Sequence, residues 1–170
     1  EFRRVLFRSQ KFLAGDSVLF WDLGNRYTSE NIKTAEQMTS LVRGQPIQRR
    51  PLGADVWDDF QSYSQYLDVI GAHRWPLFTS LELKQYRDWL ADRRQLTATP
   101  KSVFFTWVQT HMPDWYVAML TGNREVDRFE DPIGPQPEQV RLLTYLSVAV
   151  GARGLGFWSD RFLSETHHGR

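Results

Sequence analysis

The sequence predicts an α/β protein built on a parallel sheet. Short apolar runs that read as buried strands alternate along the chain with segments of helical periodicity. The fourth run, at 103–108 (VFFTWV), is too apolar to be half exposed, as is typical of a parallel sheet covered on both faces. The same alternation fits a doubly wound sheet or part of a barrel. No glycine-rich phosphate loop follows any of the runs, which weakens the nucleotide-binding alternative.

Five strands are predicted in chain order. Each is an apolar run that ends in polar or aromatic residues, and the runs lie at 18–21, 50–56, 67–71, 103–108 and 154–158. A helix with a capping-box spacing at Thr34 should follow the first strand, and a short helix should follow the second. Longer helices are predicted after Ser80 and from Pro137, and the stretch 112–135 between them is interpreted as a long functional loop.

The two ends of the chain suggest an incomplete protein. Residues 1–9 (EFRRVLFRS) resemble a translated sequencing adapter and are interpreted as non-native sequence. Residues 10–170 are then expected to belong to one domain that is incomplete at both ends. The formal net charge of +1 includes +2 from residues 1–9, so the rest carries −1.

Composition and charge exclude several function classes. A near-neutral chain of mixed charge has no electrostatic footprint for nucleic acid, and no window reaches the ~20 apolar residues of a membrane span. The absence of cysteine excludes disulfides and thiolate chemistry. The four histidines show neither HxH nor HExxH spacing, so we expect no metal, and no cofactor is predicted.

The strand ends carry a family resemblance. They read, in order, WDLGN, GADVWDD, IGAHRWP, TWVQTH and GFWSDRF. In pattern and order the chain resembles the C-terminal half of a glycoside hydrolase (β/α)8 barrel of the retaining, β-galactosidase-like superfamily. The resemblance implies that the strands are about the fourth to the eighth of a TIM barrel, that the partner is a carbohydrate, and that the protein is secreted or periplasmic.

The catalytic pair that the resemblance implies is not found. Asn25 matches an asparagine of the family, but Arg26 stands where an acid/base glutamate is expected, and Gln109 stands where the nucleophile is expected. An amide cannot form the glycosyl ester, and a guanidinium is protonated at any working pH. Two hypotheses therefore stay open: a hydrolase that uses other carboxylates, and a non-catalytic barrel that binds a glycan or a protein.

Strand-end residues supply the remaining candidates, because barrel active sites form at the carboxyl ends of the strands. The catalytic candidates are Asp22, Asp55 and Asp160. Their structural alternative is that Asp22 caps a turn and Asp160 pairs with Arg161. The candidates for binding a substrate are Asn25, His73, Arg74, Trp75, Gln109, His111 and Trp158. We predict that nine of these ten residues, all except Trp75, converge on one concave face, with Trp158 or Trp75 beneath the sugar ring.

Overall fold

A computed structural model describes residues 19–44, 50–97, 101–122 and 134–158. The suspected adapter segment, residues 1–9, and the candidate Asp160 lie outside the described residues.

The described chain is an α/β protein with a five-stranded sheet, whose strands follow chain order. The strands are β1 (Trp21–Asp22), β2 (Leu52–Asp55), β3 (Val69–His73), β4 (Val103–Gln109) and β5 (Gly154–Trp158). The pairs β1–β2, β2–β3 and β4–β5 are parallel. The prediction of a parallel α/β sheet in chain order is therefore confirmed.

Helical segments separate the strands. A single 3-10 turn, Ser29–Asn31, leads into α1 (Ile32–Arg43), and the later helices are α2 (Phe60–Tyr63), α3 (Leu83–Leu96), α4 (Asp114–Thr121) and α5 (Pro137–Ala149). The predicted start of α1 at Thr34 is wrong. Thr28 and Asn31 make the reciprocal cap instead, so the chain turns three residues before the helix begins.

The stretch predicted as a long loop after β4 contains α4. Pro113 precedes this helix, Asp114 lies in its positively charged first turn, and Gly122 ends it with a left-handed φ of 62°. These are ordinary start and stop signals. All eight residues between them are helical, and six of these are aromatic or aliphatic, so part of the predicted loop is a helix.

The chain divides into two compact units. The first unit comprises the described residues up to Ala72 and those within Leu96–Phe104, and the second comprises His73–Gln95 and the described residues from Phe105 onward. In the first unit all four residues of β2 are buried, as expected for a parallel strand covered on both faces.

Asp68 connects three elements of the first unit. Its carboxylate accepts a hydrogen bond from the backbone N–H of Leu52 (2.9 Å) and forms an ion pair with Arg43 of α1 (3.2 Å). Its backbone carbonyl accepts a hydrogen bond from the N–H of Val103 (2.7 Å). The residue before β3 thus fixes where β2 and β4 begin.

In the second unit the two faces of β4 differ. Thr106 and Val108 are fully buried, and the Tyr86 hydroxyl of α3 interacts with both Thr106 and Ser147 of α5. Helices α3 and α5 therefore cover this face. On the other face Phe105 and Trp107 are only half-buried and extend over β5.

Glycines in β5 make that arrangement possible. Phe105 pairs in register with Gly154, and Trp107 pairs with Gly156. A Cβ atom on Gly154 would lie 2.4 Å from the Phe105 ring, and one on Gly156 would lie 2.2 Å from the Trp107 ring. The GLG sequence of β5 therefore leaves room for two aromatic rings.

Across the described residues, no helix combines the length and apolar character needed to cross a membrane.

Candidate functional site

The candidate residues fall in both units, and each group is described by itself. The first unit holds Asp22, Asn25 and Asp55. The second unit holds His73, Arg74, Trp75, Gln109, His111 and Trp158.

In the first unit a bulge follows the end of β1. The backbone of Asp55 pairs twice with the loop after β1: its N–H donates to the carbonyl of Gly24 (2.9 Å), and its carbonyl accepts from the N–H of Tyr27 (3.1 Å). The two residues between these contacts, Asn25 and Arg26, are pushed out of the ladder and are exposed. Arg26 adopts a left-handed φ of 57° there.

The two carboxylates of this unit differ in exposure. Asp55 ends β2 and is 6% exposed, and its side chain lies over Gly71, the residue opposite it in β3. Asp22 ends β1 at the surface, and its Oδ1 accepts a hydrogen bond from the N–H of Gly24 (3.0 Å). This contact is the turn-capping role that the sequence analysis held open for Asp22.

Electrostatics also distinguish Asp22. Desolvation by the surrounding residues raises the pKa of its carboxyl, the Gly24 hydrogen bond lowers it, and the charge of Asp55 raises it further. Tyr27 lies nearby, and desolvation together with the charge of Asp22 raises the pKa of its hydroxyl. The Tyr27 hydroxyl donates to the carbonyl of Leu23 (2.9 Å). A carboxyl that keeps its proton to a higher pH is suited to donate one.

In the second unit five rings form what we call the aromatic cluster. Its members are His73, Trp75, Trp107, His111 and Trp158. His73 stacks on Trp75 with ring centroids 4.8 Å apart, and His111 meets Trp75 edge-on at 5.1 Å. The ring centroids of Trp158 and Trp75 are 6.2 Å apart, and the two ring planes are inclined by 34°. Residues at or just after the ends of β3, β4 and β5 therefore meet in one place.

Trp158 is the most exposed member of the aromatic cluster, with 36% of its surface open to solvent. Trp107 contacts its ring edge-on, with centroids 5.7 Å apart. The Trp158 carbonyl accepts hydrogen bonds from both the N–H (3.1 Å) and the hydroxyl of Thr110. Backbone and ring are thus both held, while more than a third of the residue stays open to solvent.

Gln109 is fully buried, and its amide faces backbone groups. Its Oε1 accepts from the N–H of Leu77 (2.9 Å), and its Nε2 donates to the carbonyl of His111 (3.0 Å). A second carbonyl, that of Leu77, lies 3.5 Å from Nε2. These contacts leave the amide directed at the protein itself.

The side chain of Arg74 contacts α3, whereas that of Trp75 belongs to the aromatic cluster. Its guanidinium lies over the ring of Trp89 in α3 at 5.6 Å, and that of Arg93 lies over the same ring at 5.3 Å. Such cation–π contacts stabilise the packing of the loop on α3.

Two contributors were not among the predicted site residues. The sequence alone does not decide which way Trp107 faces, because alternate residues of a strand face opposite sides. In the structure Trp107 pairs in register with Gly156 of β5. The GLG sequence of β5 was the sequence feature that could have indicated space for this ring. Tyr27 had no signal, since the bulge that brings it back to Asp55 depends on backbone geometry.

Within the described ranges, no group of three or more histidine and acidic side chains could hold a metal ion. Comparison with protein-family models, with curated proteins and with solved structures finds no match.

Proposed function

We propose that this chain binds carbohydrate as part of a glycoside hydrolase-like (β/α)8 barrel, with the aromatic cluster as the surface on which a sugar ring stacks. In this proposal β1 to β5 correspond to about the fourth to the eighth strands of the barrel. Parallel strands in chain order with helices between them support it. The observation that carries it is the meeting of Trp75 and Trp158 at the ends of β3 and β5.

The chemistry of the cluster fits a sugar. One face of a pyranose ring presents C–H groups that pack on the face of an aromatic ring, while its hydroxyls need polar partners at the edges. Small-molecule sites usually combine an apolar, aromatic lining with a few placed polar groups. Trp158 supplies the exposed aromatic surface, and the partly exposed imidazole of His111 supplies a polar edge next to it.

Binding is favoured over retaining hydrolysis at the end of β4. A nucleophile there would have to be ionisable and directed at the substrate, whereas Gln109 is an amide engaged with Leu77 and His111. The proposal therefore assigns the second unit to glycan binding.

Hydrolysis is the second candidate, and it depends on the first unit. The raised pKa of Asp22 beside the charge of Asp55 is the pattern expected of a general acid with a second carboxylate. Asp22→Asn and Asp55→Asn should each abolish turnover on a panel of chromogenic glycosides. Asp92→Asn, an exposed carboxylate in α3, is the matched control. Activity that is unchanged in both variants excludes these carboxylates.

Binding is tested on a panel of neutral oligosaccharides with two tryptophan variants. Trp158→Ala should weaken binding by roughly 3- to 10-fold, since an aromatic stacking contact is worth about 0.5–1.5 kcal/mol. Trp115→Ala removes a tryptophan that is 57% exposed and belongs to α4, so affinity should not change. Equal affinities in Trp158→Ala and the wild-type chain would remove Trp158 from the site.

A further inference from the structure

The loop that follows β3 carries Trp75 and is held in an unusual conformation. Phe78 has a left-handed φ of 61°, which is costly for a bulky residue and persists only where the surroundings impose it. The Phe78 ring packs on Tyr116 of α4 with centroids 4.7 Å apart. Within the same turn the Thr79 hydroxyl donates to the carbonyl of Pro76 (2.8 Å).

Gln109 is the side chain that fixes this loop to the end of β4. Its amide contacts both polar groups of the Leu77 backbone, two residues after Trp75, and also the carbonyl of His111. Trp75 and His111 are the two rings in edge-on contact within the aromatic cluster. One buried amide therefore joins the two backbone segments that carry these rings.

We propose that Gln109 is a positioning residue, whose amide holds the Leu77 and His111 backbones together so that Trp75 is oriented for a sugar ring. The role in sugar binding rests on the proposed function, whereas the orientation of Trp75 does not.

The donor and acceptor pattern around Gln109 makes the proposal specific. Nε2 faces two carbonyl oxygens, and Oε1 faces one N–H group. A protonated carboxyl reproduces this pattern, because its O–H can donate to the His111 carbonyl while its C=O accepts from Leu77. An ionised carboxylate has no donor and would place negative charge against two carbonyl oxygens in a fully buried position.

Gln109→Glu turns this difference into a pH-dependent measurement. Burial and the facing carbonyls raise the pKa of the introduced carboxyl above its unfolded value of about 4.3. The folded variant then binds its proton more tightly than the unfolded chain, so stability is retained below about pH 4 and is lost as the pH rises through the folded pKa. At pH 7.5 we expect the melting temperature to fall by on the order of 10 °C relative to wild type.

Matched variants separate this effect from a general loss of packing. Gln95→Glu makes the same substitution at an exposed position of α3 and should show no such pH dependence. Gln109→Met keeps the shape without hydrogen bonds, so it should loosen Trp75 equally at every pH. The titratable rings of the cluster, His73 and His111, are present in all variants, and the Gln109→Met profile corrects for them.

The readouts are the melting temperature, the indole N–H resonance of Trp75, and oligosaccharide affinity between pH 4 and 7.5. For Gln109→Glu we expect a wild-type Trp75 resonance at pH 4, a shifted resonance at pH 7.5, and a parallel loss of affinity. The proposal is overturned if the melting temperature and the Trp75 resonance of Gln109→Glu depend on pH no more than those of Gln95→Glu between pH 4 and 7.5. It is also overturned if Gln109→Glu is unfolded even at pH 4. If wild type binds no sugar, the proposed function fails while the resonance and melting data still decide the role of Gln109.

Discussion

Replacing Gly156 with alanine tests the close packing of β4 on β5. The new Cβ would lie 2.2 and 2.3 Å from two carbons of the Trp107 ring, whereas carbon atoms in contact are about 3.5–4.0 Å apart. The ring must therefore move by more than about 1 Å. Overpacking of this kind costs about 1–3 kcal/mol, and loss of glycine freedom in the unfolded chain offsets about 0.4–1 kcal/mol.

The net effect of Gly156→Ala should be a destabilisation of about 1–2 kcal/mol, or roughly 2–8 °C in melting temperature. Calorimetry or circular dichroism measures it directly. Gly134→Ala is the control, because no described atom lies within 4 Å of a Cβ built there and its φ is not left-handed. That variant should be neutral or slightly stabilised.

A double mutant identifies the clash partner. In a Trp107→Ala background the alanine at position 156 meets no ring, so its cost should disappear. A Gly156→Ala variant as stable as Gly134→Ala would refute the close approach of Trp107 to β5. A cost that persists in the double mutant would show that another contact is responsible.

Two further predictions concern pH. Burial, followed by the charges of Tyr27, Asp58 and Asp59, raises the pKa of Tyr63 to about 12, and its hydroxyl donates to the carbonyl of Thr28 (2.6 Å). The folded chain therefore keeps this proton above the unfolded pKa of about 10, so stability should be lost as the pH rises from about 10 to 12. Tyr63→Phe should lose much less stability over this range. Equal alkaline denaturation curves for the two proteins would contradict the assignment. The raised pKa of Asp22 acts in the same direction at acidic pH, so stability should fall as the pH rises above about 4, and Asp22→Asn should flatten that fall in urea titrations. A variant that keeps the full slope would contradict it.

The sheet was predictable because its strands carry local signals. The bounds of β5 agree with the prediction at both ends, since Gly151 and the apolar run GLGFW mark them. The third strand was placed two residues early, at 67–71 instead of Val69–His73. The paired register of β3 begins at Val69, which lies opposite Gly53, so Leu67 and Asp68 precede the strand.

The sequence was less informative where backbone geometry decides the outcome. The helix after β1 begins at Ile32 because Thr28 and Asn31 cap each other, and this pair competes with an equally plausible signal at Thr34. Helix α4 shows no amphipathic stripe that a sequence pattern could reveal, because residues 115–120 are all apolar and no residue of the helix is buried.

Within the candidate site, strand-end position predicts which residues lie near one edge of the sheet, but it does not predict the direction of each side chain. The sequence predicts that His73, Arg74 and Trp75 follow one another at the end of a strand. Their separation into the aromatic cluster and the Trp89 contact is a matter of tertiary packing. The same holds for Gln109, since one of its backbone partners, Leu77, lies 32 residues away in sequence. The convergence of the nine candidates on one face stays a prediction.

The most direct test of the central claim is a titration of the chain with neutral oligosaccharides, followed through its indole N–H resonances. The seven tryptophans give seven assignable signals, so the ligand position is read from the chain itself. We predict that the resonances of Trp75 and Trp158 shift in a saturable manner, while those of Trp89 and Trp115 stay unchanged. No saturable shift for any sugar, or shifts confined to Trp115, would contradict carbohydrate binding at the aromatic cluster.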